Sequence, residues 1–167
     1  MIHRSQLVTA RLVVRPFVAA DAPLLVDLFA DPEVHRFVDD GQPLAPDVAA
    51  LWIERSAANL ERFGYGSGAV VERAGGDLIG WAGFARPGDG TQEVIYGLRR
   101  ASWGRGLGSE LLAGLGAFAA ERGITPVRAT VDPDNGASVY QLRQAGFVLA
   151  EACYRGDVAT DLYLHGG

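Results

Sequence analysis

Glu93-Val-Ile-Tyr-Gly-Leu-Arg-Arg-Ala-Ser-Trp-Gly-Arg-Gly-Leu-Gly-Ser-Glu110 changes character twice along its length. Val94, Ile95, Tyr96 and Leu98 suit a pleated, buried strand. Gly104, Gly106 and Gly108 follow, where the backbone can turn sharply and a ligand can approach with no Cβ in the way. From Leu107 the apolar residues recur at three- and four-residue steps (Leu107, Leu111, Leu112, Leu115, Phe118), which predicts a helix. A strand feeding a glycine turn and then a helix leaves unpaired backbone N–H groups aimed at one point, with the positive helix end behind them. Arg99, Arg100 and Arg105 crowd the same turn, so the stretch reads as a site for a phosphorylated ligand.

Three phosphate-binding patterns compete. A Walker loop needs Gly-Lys-Ser/Thr, and no lysine follows Gly108. A dinucleotide fingerprint needs a third glycine, and Leu111 stands there. The glycine pair is thus the sole support for a nucleotide-binding oxidoreductase. The spacing Trp103-x-x-Gly106-x-Gly108 resembles the acyl-CoA loop of the GNAT N-acyltransferase superfamily, with Trp103 in place of the usual glutamine or arginine. Its Trp-Gly-x-Gly-x-x-x-Glu form is similar to the branch containing the ribosomal-protein N-terminal acetyltransferases. Leu7 to Phe17, followed by Asp21-Ala22, resembles that branch's opening strand, and Asn135-x-x-Ser138 leading to Gly146-Phe147 resembles its second signature helix. The three blocks occur in the family's order.

Composition bounds the alternatives. A chain of 167 residues, 49% hydrophobic and 21% charged, suits one globular domain, residues 1–167. No apolar run reaches the ~18 residues of a membrane span, and no apolar signal core precedes the first strand. One cysteine, Cys153, rules out an internal disulfide and suits a cytoplasmic location; as a strand residue it is expected in the core. A net charge of -5 argues against nucleic acid as a partner. His3, His35 and His165 have no metal-ligand spacing, so no metal is expected.

In chain order, Arg11–Phe17 reads as a strand and Asp21 as the N-cap of a helix with Leu24, Leu25, Leu28 and Phe29 on one face. A short helical turn over 33–38 and a polar loop over 39–46 precede a helix over 47–62 with Val48, Leu51, Trp52 and Leu60 as its buried stripe. Strands over 68–73, 78–85 and 91–98 form a meander, turned at Gly75-Gly76-Asp77 and Pro87-Gly88-Asp89-Gly90. After the glycine turn come a helix to Gly123, a strand over 127–131, a helix capped by Asp134 or Asn135, and strands over 147–154 and 158–164. The fold class is α+β. The resemblance implies the acyl-CoA N-acyltransferase fold: a mainly antiparallel seven-stranded sheet flanked by helices, its two central strands, 91–98 and 127–131, parallel and splayed. A whole helix joins those two strands, which independently requires a parallel crossover.

The resemblance further implies acetyl-CoA as co-substrate and an amine as acceptor, either a protein N-terminus or a small amine. Cofactor contacts would come from Leu98, Arg99, Arg100, Trp103, Gly104, Arg105, Gly106, Leu107, Gly108, Ser109 and Asn135. Glu93 matches the family's general base; as a bare strand carboxylate it would simply face solvent. Backbone N–H near Leu98 would meet the oxyanion, with Gly97 suited to a bulge. Ser138 is the formal leaving-group acid, or a first-turn serine that caps the helix or contacts the cofactor. The tyrosine many relatives carry seven residues after the asparagine is Leu142 here. Asn135 reads as a cofactor contact or a plain helix cap, and Arg143 as a phosphate contact or a solvated side chain. Glu110 is assigned a structural role at the helix start. The acceptor would enter between residues 33–42 and 154–161, where Phe37, Asp39, Asp40, Tyr154, Asp157 and Asp161 suit a cation. A non-catalytic acyl-CoA sensor is the alternative from another class, and a homodimer is among the expected assemblies.

Overall fold

The computed structural model describes residues 6–86 and 90–166. Turn residues Pro87 to Asp89, and His3, lie outside the described residues. Strands β1 (Leu7–Val8), β2 (Leu12–Pro16), β3 (Ser67–Glu72), β4 (Leu78–Ala85), β5 (Glu93–Leu98), β6 (Val127–Val131), β7 (Val148–Glu151) and β8 (Asp161–His165) form one sheet in the order β1-β2-β3-β4-β5-β6-β8-β7. The sheet has eight strands rather than seven, because Leu7–Val8 folds back on Val13–Val14 as a separate short strand. Every pairing is antiparallel except β5 with β6, which meet in parallel at Glu93 and Arg128. Helices α1 (Asp21–Leu28), α2 (Pro32–His35) and α3 (Pro46–Phe63) precede β3, while α4 (Leu107–Glu121) and α5 (Gly136–Gln144) flank β6 in sequence.

Side chains alternate across a strand, so β5 serves two cores. Val94 and Leu98 join Leu107, Leu111, Leu112, Leu115 and Leu142 in the cluster under α4 and α5, with Tyr96 packed on it. Ile95 packs on the opposite cluster of Phe17, Leu25, Phe29, Val34, Ala69 and Trp81, which α1 to α3 cover. Phe29 and Trp81 lie 4.6 Å apart between ring centres, and Trp52 meets both edge-on.

Four local expectations change. Asp21 is not an N-cap: Ala20 precedes the helix without a side-chain cap, and the buried Asp21 carboxylate takes the Val18 N–H and two Arg15 nitrogens at 2.8 and 2.9 Å. That pairing raises the Arg15 pKa above its ordinary value, the Asp21 hydrogen bond outweighing desolvation. Val48 and Leu51 are exposed rather than buried; α3 instead buries Ala49 and Ser56, and the Ser56 and Ser67 hydroxyls meet at 2.6 Å. Gly97 forms no bulge, since the β4–β5 register runs unbroken from Gly80–Leu98 to Ala85–Glu93. Its glycine is required because a Cβ there would stand 2.2 Å from the Trp81 ring. Cys153 is exposed in the β7–β8 connection, at φ +51°, and is not a core residue.

Candidate active site

Strand β5 ends at Leu98, and a single 3-10 turn over Arg100–Ser102 leads through Trp103 to Gly106, the N-cap of α4. Gly104 and Gly106 are left-handed (φ +74° and +76°), which disfavours any side chain there. A Cβ at Gly104 would meet nothing within 4 Å, so the turn stays open on its outer side. No side chain caps α4, leaving the first N–H groups of the helix, including those of Leu107, Gly108 and Ser109, facing the turn. The Leu107 side chain is buried, so only its backbone can serve a ligand. Gly108 is constrained differently: a Cβ would stand 2.7 Å from the Gln141 amide nitrogen of α5. The Trp103 indole N–H donates to the Leu98 carbonyl at 2.8 Å and ties the turn to the strand end.

Glu110 and Arg11 hold the turn from behind. Arg11 donates to Glu110 at 2.9 Å and to the Arg105 carbonyl at 2.9 Å, and the Thr9 hydroxyl donates to Glu110 at 2.7 Å. Burial alone would raise the Glu110 carboxyl, but the hydrogen bonds from Thr9 and Arg11 outweigh it and hold the pKa below its ordinary value. A depressed carboxylate stabilises the fold above its unfolded pKa, about 4.3, and loses that contribution as pH falls through the folded value. Glu110→Gln should therefore cost about 1 kcal/mol at neutral pH, in denaturant melts, with the gap to the parent closing below about pH 4.

The predicted arginines are already engaged. Arg100 pairs with Asp31 and Arg105 with Glu72 at 2.7 Å, while Arg99 reaches the Ser102 hydroxyl at 3.3 Å. Arg99 and Arg100 line a broad cleft of about 870 Å3 against α1 and α2 that contains neither Glu93 nor a turn glycine. It is larger than the cavities described next but holds only Arg99 and Arg100 of the predicted contacts.

Two smaller cavities carry that chemistry. One, of about 490 Å3, is lined by Leu98, Trp103, Gly104, Gly106, Leu107 and Gly108 from the turn and by Asn135 to Ser138 of α5. The other, of about 440 Å3, holds Glu93, Thr130 and Asp132 together with Phe37, Trp52 and Arg55. They share Phe37, Val38, Trp81, Tyr96, Asn135 and Ser138 as a common neck. Glu93 and Ser138, far apart in sequence, both reach the second cavity, and the Thr130 hydroxyl donates to the Glu93 carboxylate. The Asn135 side chain accepts from the Ser138 N–H at 3.3 Å, so it caps α5 while lining both cavities. Arg143 turns away, to the Tyr163 hydroxyl at 3.4 Å. Leu142 is a core residue, 2% exposed.

The final hairpin contributes no aspartate to the cavity. Asp157 accepts from the Ala159 N–H and the Thr160 hydroxyl, Asp161 from the Cys153 N–H, and the Tyr154 hydroxyl from Arg128. Asp40 likewise closes its own turn on the Gln42 N–H, leaving Phe37 and Asp39 from the expected segments. Exposed Val48 and Leu51 of α3 line the cavity instead, which explains why they are not in the core. The sequence reading also missed Tyr96 and Gln141, whose side chains meet at 2.8 Å between β5 and α5. The alternation of β5 could have put Tyr96 on the α5 side; nothing local pointed to Gln141.

Backbone pairing leaves an edge at this neck. The Arg99 N–H bonds the Ile79 carbonyl, so in this register odd-numbered residues of β5 bond to β4. The backbone groups of Val94, Tyr96 and Leu98 consequently face β6, yet β6 pairs with β5 only at Glu93 and Arg128. Beyond that point the strands part, opening a gap lined by peptide groups. Among the described residues no group of three or more metal-ligating side chains is present, and no helix is long and apolar enough to cross a membrane.

The sequence profile of the family described as Acetyltransferase (GNAT) domain matches residues 11–148. An uncharacterized N-acetyltransferase, p20, of Bacillus licheniformis is 26% identical over 152 residues, covering 84% of this chain and 81% of that protein. Among solved structures, an acetyltransferase from Agrobacterium tumefaciens superposes with a TM-score of 0.83 at 26% identity, over 96% of this chain and 94% of that one. The ribosomal L7/L12 alpha-N-protein acetyltransferase RimL in complex with coenzyme A shares the fold, with a TM-score of 0.78 at 19% identity over 97% of each chain. A profile match across most of the chain, on a sheet that parts beside a glycine turn at an uncapped helix, has one reading: the chain belongs to the GNAT acetyltransferase family.

Proposed function

We propose that the protein transfers an acetyl group from acetyl-CoA to an amine, either a protein N-terminal α-amine or a small amine, by direct attack with both substrates bound. The observation that carries this reading is the shared neck: the cavity on the glycine turn and the cavity holding Glu93 lie side by side at the parted strands and share Phe37, Val38, Trp81, Tyr96, Asn135 and Ser138. The first is shaped for the donor. Its uncapped helix end and left-handed glycines suit the pyrophosphate, and the Tyr96 peptide groups and the Leu98 N–H on the open strand edge suit the amide-bearing arm. Acetyl-CoA would supply an activated thioester at the neck.

The second cavity receives the amine. Glu93 accepts its proton, directly or through water, with Thr130 fixing the carboxylate. The Leu98 N–H, on the open strand edge, donates to the oxygen on which charge develops. Phe37, Trp52, Leu51 and Val48 enclose the acceptor's apolar part, and Glu93, Asp39 and Asp132 favour a cation over an anion.

The test is free-thiol release from acetyl-CoA across short peptides with free N-termini, the same peptides blocked, polyamines, aminoglycosides and amino acids. Turnover with free but not blocked peptides supports a protein N-terminus as acceptor. Turnover only with small polycations supports the acidic cavity as the selecting feature. Protein that binds acetyl-CoA but releases no thiol with any amine would overturn the catalytic reading in favour of a binding module.

A further inference from the structure

Leu142 offers no hydrogen-bond donor: it belongs to the core and lines the Glu93 cavity with an apolar side chain. The neck nevertheless contains a phenol. Tyr96, on β5, lines both cavities, whereas Tyr65, Tyr140, Tyr154 and Tyr163 line neither. Its hydroxyl donates to Gln141 Oε1 at 2.8 Å, and Ser138 lines the same neck. Gln141 is itself seated against Gly108, where any side chain on that glycine would displace its amide. A line of contacts therefore runs from the first turn of α4 through Gln141 to the phenol at the neck.

We propose that Tyr96 is the hydrogen-bond donor to the departing thiolate, and that Gln141 is a positioning residue holding the Tyr96 hydroxyl at the neck. The role rests on the acetyl-transfer reading. In the step, the amine nitrogen bonds the acetyl carbon, the carbon–sulfur bond breaks, and sulfur keeps the electron pair. The amine's proton goes to Glu93 and on to solvent, and the thiolate later takes a proton from solvent. Tyr96 swings its O–H from Gln141 to sulfur without giving the proton up. Its protonated state is secure, because burial pushes the phenol up to about 12. A charged acceptor strengthens such a bond relative to the neutral one to Gln141. The donor thus arrives from the strand rather than from the helix.

The experiment is single-turnover acetyl transfer in Tyr96→Phe and Gln141→Leu, using whichever amine the panel identifies, beside acetyl-CoA Kd, amine KM and Tm. Tyr96→Phe keeps the ring and its packing, so the expected result is a transfer rate lowered about 10- to 100-fold with Kd and KM within about twofold. Gln141→Leu leaves the phenol but frees it, and should lose rate by a smaller factor. A Tyr96→Phe rate within about twofold of the parent, or a loss appearing in Kd, KM and Tm rather than in rate, would overturn the proposal. If the parent transfers acetyl and Tyr96→Phe keeps pace, only the role of Tyr96 falls. If the parent binds acetyl-CoA and acetylates nothing, the acetyl-transfer reading falls and this role with it.

Discussion

Glu93→Gln should lower acetyl transfer at pH 7 by about 10²- to 10⁴-fold while leaving acetyl-CoA affinity unchanged. The amide keeps an oxygen to accept the Thr130 hydroxyl, so the side chain stays in place and only the proton acceptor is lost. The size of the loss depends on the acceptor. An α-amine with pKa about 7.7–8.0 costs about 1 kcal/mol to neutralise at pH 7, whereas a lysine-like amine with pKa about 10.4 costs about 4–5. An α-amine acceptor thus predicts the lower end of the range, with the defect in kcat/KM shrinking as pH rises past about 8. A lysine-like acceptor predicts the upper end, with no relief until much higher pH. A pH profile of both proteins distinguishes these outcomes. Equal rates, or a fall in acetyl-CoA affinity to match the fall in rate, would remove Glu93 from the chemistry.

Gly80→Ala should be the most damaging small substitution near the site, costing about 3 kcal/mol or more in denaturant melts. A Cβ on Gly80 would stand 2.0 Å from the Gly97 carbonyl oxygen and 2.9 Å from the Leu98 side chain. A flexible side chain could move aside, but a backbone carbonyl in the β4–β5 ladder cannot move without opening it. That ladder carries the strand edge offered to the donor, so acetyl-CoA binding should fail along with stability. Gly116→Ala is the control. Gly116 lies inside α4 with nothing within 4 Å of a Cβ, and the change should stabilise by about 0.5–1 kcal/mol. A Gly80→Ala protein as stable as its parent would mean that β4 and β5 pair less closely than the Gly80–Leu98 register implies.

The parallel strand pair was legible because a 15-residue helix must lie between its members, and the glycine turn because Gly104 and Gly106 have left-handed geometry that few residues tolerate. Glu93 and Ser138 could be named singly, but not the neck they share, since Glu93 is on a strand and Ser138 on a helix 45 positions away. Val48 and Leu51 misled because an apolar residue facing a cavity has the same periodicity as one facing a core. Asp21 misled because a helix-start carboxylate can cap or pair, and Arg15 decides which.

What the sequence determined by itself was local: where the chain turns, which segments are strands and helices, the order of the motif blocks, and therefore the family. These follow from backbone sterics, side-chain period and spacing, which operate over a few residues. What only the tertiary structure decided was which side chains meet: Tyr96 with Gln141, Glu93 with Thr130, the loop arginines with Asp31 and Glu72, and β8 inserted between β6 and β7. The reason is that such pairings depend on how whole elements pack. A strand at the splay presents alternate side chains to the two cores and alternate backbone groups to the gap, and no pattern within the strand records what stands opposite.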